Sequence, residues 1–321
     1  MLAAETQVKA EEYFPIILES LRLNTILDFD LYIKIEEQFV LYRHHDLPFV
    51  EETRFNLVEN KVKYLYVNSK LKKKYQRYIE SHLDKIIEDK EIEMPKKAAI
   101  IYDASKNLVE EVFENPTYGE NIKRSSKLVE NTMGYILKGK EAFVNLMRIT
   151  SRDYSTYTHS IHVSCLSIAL ATKLGHKDKK TLYELGLGAL LHDVGKSKID
   201  QNILKKRGRL DKTEFDLVKR HPQWGVEILS KSLLPKGAYI PVIQHHERMD
   251  GTGYPRGIKG NQIELYGRVA GIIDVFDALT TERVYQEALS PYNALKVMID
   301  LKNKFDISIL KEFILLLGLK F

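Results

Sequence analysis

Cysteine is nearly absent from this chain of 321 residues, which contains only Cys165. With one cysteine, no intramolecular disulfide can form, and metal sites that need several thiolates are excluded. Because Cys165 lies in the apolar helical segment VSCLSIALA, we predict a buried structural thiol rather than a reactive one. This cysteine usage favours a reducing environment.

Long apolar segments are also missing. The chain has no run of about 18 apolar residues, so we expect no membrane span. The N-terminal stretch MLAAETQVKAEEYF carries glutamates where a signal peptide needs an apolar segment, so we expect no export. We therefore predict a cytoplasmic location.

The chain also lacks a strong excess of positive or negative charge. The formal net charge of +5 attracts anionic ligands only mildly and is far below that of a dedicated DNA-binding protein. With 44% hydrophobic and 29% charged residues, the composition is that of an ordinary globular protein. The length predicts about two domains.

The first part of the chain has mixed patterns. Apolar residues alternate in residues 29–35, and short β-type runs follow at 38–42 and 62–67, which predicts a small sheet. A helical stripe follows in residues 71–87, with lysines 70 and 72–74 at its exposed start. We predict a small α/β regulatory or interaction domain at 1–95, in which His44 and His45 are surface residues rather than ligands.

Helical patterns dominate the rest of the chain. Residues 96–142 predict a helical connector that breaks at Asn115 and Pro116. After it, apolar repeats of three and four residues mark segments 143–174, 180–191, 212–230, 266–281 and 291–304. The closing segment FILLLGLKF predicts a packed helix. The fold class is therefore mainly α, with an all-helical domain at 143–321.

Polar residues inside these apolar helices suggest a site. In GLGALLHDVGKSKID, His192 and Asp193 directly follow a buried run, and an unpaired buried carboxylate costs several kcal/mol. A divalent metal would satisfy both, with Asp193 placed to bridge to a second ion. Gly195 would permit close backbone approach, and Lys196 has a charge suited to phosphate.

Other candidate ligands are spread along the helical domain. One alone would be explained as a core histidine or a helix cap, but together they indicate a metal centre: His159 in TYTHSIHV, His221 in KRHPQWG, His245 and His246 in QHHERMDGTGYP, and Asp274 in AGIIDVFDALT. His162, one helical turn after His159, competes with it for the ligand role. Nitrogen and carboxylate ligands suit iron, manganese, nickel, cobalt or zinc.

The motifs HDVGK, HHERMDGTGYP and DALT followed by Arg283 resemble those of the HD-GYP family, a branch of the HD-domain metal-dependent phosphohydrolases. The resemblance implies an all-helical cyclic di-GMP phosphodiesterase that usually uses iron or manganese and yields the linear dinucleotide and often GMP. It implies one ion on His159, His192, Asp193 and Asp274, and a second on Asp193, His221, His245 and His246. It also makes Asp193 and Lys196 catalytic, and it assigns substrate contacts to Lys196, Arg283, Asp250, Gly253, Tyr254 and Pro255.

Three positions depart from the family pattern. Ser155 stands where members with three metals carry a glutamate, so we expect two metals. Val284, Tyr285 and Gln286 replace the usual Pro-Tyr followed by a cation, which removes one phosphate-binding charge. Ile199 is followed by Asp200 rather than proline. None of these changes a ligand of the two-metal centre.

Three functions stay open on these grounds. The first is two-metal phosphodiester hydrolysis, in which Tyr254 shapes the pocket because its normal pKa of about 10 makes it a poor base. The second is a receptor that binds cyclic di-GMP or a protein partner with little turnover, and the third is a metal enzyme for another nucleotide. We expect the N-terminal domain to support a homodimer or contact a signalling partner.

Overall fold

The computed structural model describes residues 12–117, 119–150, 156–206, 208–281 and 288–318. The chain divides into two compact units, Met1–Ala104 and Ser105–Phe321. The predicted division into 1–95, 96–142 and 143–321 stays a prediction. The predicted class is confirmed, since the chain is mostly helical and has a small sheet near its N-terminus.

The first unit contains a four-stranded antiparallel sheet of order β1-β4-β2-β3. Its strands are β1 (Tyr13–Ile17), β2 (Leu31–Ile35), β3 (Gln38–Arg43) and β4 (Tyr64–Asn68). Three strands match the predicted runs within two residues. Strand β1 was not predicted, because this strand forms by pairing with β4, about 50 residues away in sequence.

Two helices accompany the sheet, α1 (Glu51–Glu59) and α2 (Lys72–Glu88), and α1 was not predicted. Helix α2 buries the predicted stripe, including Ile79, Leu83 and Ile86. The rings of Tyr75 and Tyr78 contact Phe29 edge-on, which ties this helix to the segment before β2. The lysines at its start are exposed, as predicted.

Helices make up the second unit and begin with α3, which crosses the unit boundary. Their bounds are α3 (Met94–Glu114), α4 (Gly119–Ile136), α5 (Lys140–Thr150), α6 (Thr156–Lys173), α7 (Lys179–Leu191), α8 (Gln201–Leu204), α9 (Lys212–Val218), α10 (His221–Leu229), α11 (Tyr239–Gln244), α12 (Leu265–Thr280), α13 (Pro291–Asp300) and α14 (Ile307–Leu316). The predicted segment 212–230 is two helices, since Pro222 suits the first turn of α10 but not a helix interior.

Helix α7 lies at the centre of this unit and packs against α4, α6 and α11. A side chain at Gly186 would meet Ile168 of α6 and Val129 of α4, so glycine permits this close packing. Helix α12 packs against α6 and α11. The buried Cys165 is free, and burial raises the pKa of its thiol to about 12, so it is structural as predicted.

The chain leaves α7 through a short 3-10 turn, Val194–Lys198, that packs on α10. A side chain at Gly195 would overlap the carbonyl oxygen of His221, so the predicted close approach is to that residue. The helix predicted for FILLLGLKF is found in part: α14 ends at Leu316 and buries Phe313, together with Ile309 and Leu310 before that segment, and residues 319–321 lie outside the described ranges. Within the described residues, no helix is long and apolar enough to cross a membrane.

Candidate metal centre

Seven side chains predicted as metal ligands converge in the second unit. They come from the first turns of α6 and α10, the interior of α12 and the C-terminal ends of α7 and α11: His159, His192, Asp193, His221, His245, His246 and Asp274. His192, His221 and His245 are fully buried, and Asp193 is 1% exposed. Five helices therefore each bring polar side chains to one buried place.

Asp193 lies between two groups of histidines. Its Oδ2 atom is 3.4 Å from Nε2 of His192 and 3.8 Å from Nε2 of His159. Its Oδ1 atom is 3.3 Å from Nε2 of His221 and 3.8 Å from Nε2 of His245. One carboxylate thus presents one oxygen to each group, which is the arrangement of a bridging ligand.

The histidines are oriented by the backbone. The Nδ1 atoms of three of them each lie within hydrogen-bond distance of a carbonyl oxygen in the preceding helical turn: His192 with Ala189 at 2.7 Å, His221 with Val218 at 2.7 Å and His245 with Pro241 at 2.8 Å. A carbonyl can only accept, so each Nδ1 carries a proton. Burial lowers the pKa values of His192 and His245, which leaves their Nε2 lone pairs free for a ligand.

The Nε2 atoms of these histidines lie close together in pairs. The Nε2 atoms of His221 and His245 are 3.2 Å apart, and those of His159 and His192 are also 3.2 Å apart. Oδ1 of Asp193 is buried and has no hydrogen-bond partner among the residues that the structure describes. An orphaned buried oxygen beside clustered lone pairs is costly, so this donor set fits divalent cations.

Asp274 contributes to both sides of the cluster. Its Oδ1 atom is 3.2 Å from Nε2 of His159, and its Oδ2 atom is 3.6 Å from Nδ1 of His246. Burial alone would lower the pKa of His159, but its bonds to Asp274 and Asp277 outweigh burial and raise the pKa to about 9. Without a cation, His159 therefore holds a proton that a metal would replace.

Lys196 lies at the edge of the same cluster. Its ammonium group donates a hydrogen bond to Oδ2 of Asp193 at 2.5 Å, and its side chain is 25% exposed. Burial would raise the pKa of Asp193, yet Lys196 and the surrounding histidines hold it well below its usual value. Asp193 is therefore ionised, and Lys196 lies where it can reach both the carboxylate and solvent.

The loop after α11 covers the second group of histidines. The backbone N–H of Tyr254 donates to the carbonyl of His246 at 3.1 Å, and its ring lies over that of His246 with centroids 4.6 Å apart. A side chain at Gly253 would overlap the backbone of His246 and Glu247, so this approach requires glycine. Pro255 follows in a cis peptide bond. Burial raises the pKa of Tyr254, so the phenol is neutral.

Comparison with known proteins identifies the family. A family model described as HD domain matches residues 141–309, just over half of the chain. The chain belongs to the HD domain family. Its HDVGK and HHERMDGTGYP motifs place it in the HD-GYP branch. In this HD domain, the dipeptide that gives the family its name is His192 and Asp193, at the centre of the cluster.

Relatives agree with this assignment. The chain is 35% identical over 227 residues to a cyclic di-GMP phosphodiesterase of Pseudomonas aeruginosa, covering 70% of this chain and 55% of that one. It is 39% identical over 146 residues to a 3'3'-cGAMP-specific phosphodiesterase of Vibrio cholerae, covering 45% of this chain and 32% of that one. The chain therefore spans about half or less of the length of these curated relatives.

A solved structure resembles the whole chain. An HDG"Y"P protein from Bdellovibrio bacteriovorus is 27% identical, with a TM-score of 0.68 over 96% of this chain and 100% of that chain. The similarity thus extends beyond the HD domain to the N-terminal unit.

Two buried carboxylates in the HD domain were not predicted from the sequence. Asp277 accepts hydrogen bonds from Nδ1 of His159 at 2.6 Å and from Nδ1 of His162 at 2.7 Å. His162 therefore supports the cluster through Asp277. The signal was available in the segment DVFD, because Asp277 lies one helical turn after Asp274 and shares its face.

The second is Glu247, which fixes the loop. Its buried carboxylate accepts backbone hydrogen bonds from Arg256 at 2.8 Å and Ile258 at 3.1 Å. Asp250 has a more local role, since it accepts two hydrogen bonds from Thr252 and is exposed. Its predicted contact with substrate stays a prediction.

Several predicted features fall on residues outside the described ranges. They are Arg283 as a phosphate contact, Ser155 in place of a glutamate, and Val284 to Gln286 after the arginine. The third departure from the family pattern is described: Asp200 caps the short helix α8 by accepting from the backbone N–H of Asn202 at 2.7 Å.

Proposed function

We propose that the protein is a metal-dependent phosphodiesterase that hydrolyses cyclic di-GMP to the linear dinucleotide. The observation that carries this proposal is the position of Asp193, whose two carboxylate oxygens face two separate groups of histidines. The name of the relative from Pseudomonas aeruginosa supports the choice of substrate.

We assign the ligands of two ions from the distances around Asp193. One ion would be held by His159, His192, Asp193 and Asp274, and the other by Asp193, His221, His245 and His246. We propose iron or manganese, since both accept mixed imidazole and carboxylate ligands. When bound, such a pair supplies a hydroxide nucleophile at neutral pH and positive charge for the phosphate oxygens.

Lys196 and Arg283 would add positive charge from the protein. Lys196 bonds to Asp193 in the structure, and a cation at that carboxylate would free its ammonium for a phosphate oxygen. Negative charge that builds on the phosphoryl oxygens would then meet a fixed ammonium group. Arg283 is assigned the same role from the family motif, as are Asp250 and Pro255 for the adjoining loop.

Tyr254 would form one wall of the substrate pocket. Its ring covers His246, and burial keeps its hydroxyl neutral, which suits a group that positions substrate and excludes water. Gly253 lets the loop approach the cluster, and the carboxylate of Glu247 fixes the loop by accepting a hydrogen bond from the backbone N–H of Arg256.

The experiment compares substrates on one metal-stripped sample of the full chain, reloaded with Fe(II) or Mn(II) without oxygen. Cyclic di-GMP should be converted to the linear dinucleotide, and Asp193→Ala should abolish conversion. Asp216→Ala, which removes an exposed aspartate of α9, is the matched control and should leave turnover unchanged. Preference for 3'3'-cGAMP would assign the enzyme to the other substrate class among its relatives.

A receptor is the alternative, motivated by the missing cation at Gln286. If cyclic di-GMP binds but no metal supports turnover, the receptor function replaces the enzyme. A separate test concerns stoichiometry: metal analysis should give two tightly bound ions, and three would show that another residue replaces the glutamate missing at Ser155.

We further propose that Lys196 acts on substrate rather than on the metals. Lys196→Met should lower turnover and leave the metal content intact. Lys198→Met is its control, because Lys198 is two residues away and pairs with Glu227 on the surface. Together with the enzymatic function, we propose a cytoplasmic location. We also propose that the N-terminal unit forms a dimer or contacts a signalling partner.

A further inference from the structure

The open end of the hairpin formed by β2 and β3 holds a second group of histidines and aspartates. The strands pair with Leu31 opposite Arg43, so the residues just outside this pair, Asp30 and His44, lie side by side. We call Asp30, His44, His45 and Asp46 the hairpin cluster. It belongs to the first unit and shares no residue with the centre at Asp193.

Two imidazole rings approach one carboxylate oxygen in the hairpin cluster. Oδ1 of Asp30 lies 2.8 Å from Nδ1 of His45 and 3.9 Å from Nε2 of His44. The backbone N–H of His45 also donates to this oxygen at 2.8 Å, which fixes the loop against Asp30. One ligand atom from each of the three residues lies within 4.8 Å of the others.

Asp46 orients His44 for a ligand role. Its Oδ1 atom is 2.9 Å from Nδ1 of His44. An ionised carboxylate only accepts hydrogen bonds, so Nδ1 carries the proton and the opposite nitrogen, Nε2, turns toward Asp30. Metal-bound histidines commonly have such a carboxylate on their second nitrogen, which fixes the ring and raises its basicity.

We propose that Asp30, His44 and His45 bind one divalent ion of the zinc, nickel or copper class, with Asp46 as a positioning residue. Two imidazoles favour these metals over Mg²⁺ and Ca²⁺, which prefer oxygen ligands. Ligand atoms in a tetrahedral site with bonds of about 2.1 Å are roughly 3.4 Å apart, so small side-chain rotations suffice. On binding, His45 loses the Nδ1 proton to solvent or to its own Nε2.

The site would be open to solvent. The side chains of Asp30, His44 and His45 are 23%, 49% and 50% exposed. Three protein ligands leave a fourth position for water or for a ligand from another molecule. Because water satisfies these groups when no metal is bound, this ion should bind more weakly than those of the buried centre.

The test is a calorimetric titration of the metal-stripped full chain with Zn²⁺. Wild type should bind one ion more than His44→Ala or Asp30→Asn, and the lost ion should belong to the weaker phase. His82→Ala is the matched control, since His82 lies in the same unit on α2 and should bind as wild type does. Equal stoichiometry in wild type and both variants would overturn the proposal.

The positioning role of Asp46 has its own signature. Asp46→Asn should retain the extra ion but bind it about 10-fold more weakly, in the range seen when such outer partners are changed. Unchanged affinity would remove Asp46 from the proposal and leave the three ligands.

A second measurement uses wild type alone, so it does not require a variant to fold. Histidine labelling of wild type with diethyl pyrocarbonate, located by mass spectrometry, should slow several-fold at His44 and His45 when Zn²⁺ is added. The labelling rate at His82 is the internal reference. If His44 and His45 react equally fast with and without Zn²⁺, the hairpin cluster holds only ordinary ion pairs. Hydrolytic activity enters neither test, so the failure of this site would not affect the proposed function.

Discussion

The two histidine clusters of this protein use the same residue types in different surroundings. Each contains adjacent histidines, with ring centroids 4.1 Å apart for His245 and His246 and 4.2 Å apart for His44 and His45. His245 is fully buried, and its Nδ1 is fixed by a backbone carbonyl. His44 is half exposed, and its Nδ1 is bound to an exposed aspartate.

This difference in burial sets the free-energy penalty of leaving the ligand atoms without a metal. In the buried centre, Oδ1 of Asp193 has no hydrogen-bond donor among the residues that the structure describes, so a cation removes a large penalty. In the hairpin cluster, solvent already satisfies the same groups. Burial, rather than the choice of ligands, should therefore set affinity, and the following predictions test that comparison.

The largest expected effect is that of metal on stability. Ligand at 100 times its dissociation constant stabilises a fold by about 2.7 kcal/mol per site, so two buried ions should contribute about 5 kcal/mol. Thermal unfolding with and without chelator measures this. Asp193→Ala should lose the difference, and an equal response to chelator in that variant would place the stabilising ions elsewhere.

The second effect concerns the aspartate that supports the first group of ligands. Asp277→Asn removes the charge that holds His159 and His162, so metal affinity there should fall about 10- to 100-fold. Metal analysis after dialysis should then find one ion where wild type keeps two. Asp300→Asn, an exposed aspartate in the same unit, is the control. Retention of both ions would show that Asp277 is not needed to position His159.

The sequence contained most of the buried centre because its ligands violate a local pattern. His192 and Asp193 follow a continuous apolar run, and Asp274 lies inside an apolar helix, so each is anomalous without knowledge of its neighbours. The helical fold was predictable because helical periodicity is also a local pattern. The family motif then indicated which of His159 and His162 is the ligand candidate, in agreement with their positions.

Contacts between residues that are far apart in the sequence could not be predicted from such local patterns. The partners of Asp277 lie 115 and 118 residues earlier in the chain. Asp30 meets His45 only because the hairpin brings them together, so the sequence analysis placed His45 on the surface without this partner. Strand β1 also depends on a distant partner, β4.

The third effect separates the loop from the metals. In Gly253→Ala the new methyl group would overlap the backbone of His246 and Glu247, so Tyr254 should shift. We expect kcat/KM to fall on the order of 10-fold or more, since small misplacements at a site are costly, while metal content is unchanged. Gly134→Ala is the control, because nothing lies within 4 Å of the added atom there. Loss of metal in Gly253→Ala would mean that the loop also shapes the ligand set.

The smallest effect should come from the hairpin cluster itself. His44→Ala in the metal-free protein should change the free energy of unfolding by less than about 0.5 kcal/mol, as is usual for exposed side chains. With free Zn²⁺ near the dissociation constant of the hairpin cluster, wild type should gain about 0.4 kcal/mol more than the variant, because both proteins fill the buried centre. Chemical denaturation with and without Zn²⁺ measures both, with His82→Ala as control. A larger loss without metal would mean that His44 supports the fold of the first unit, and that exposure does not separate the two clusters as sharply as their geometry indicates.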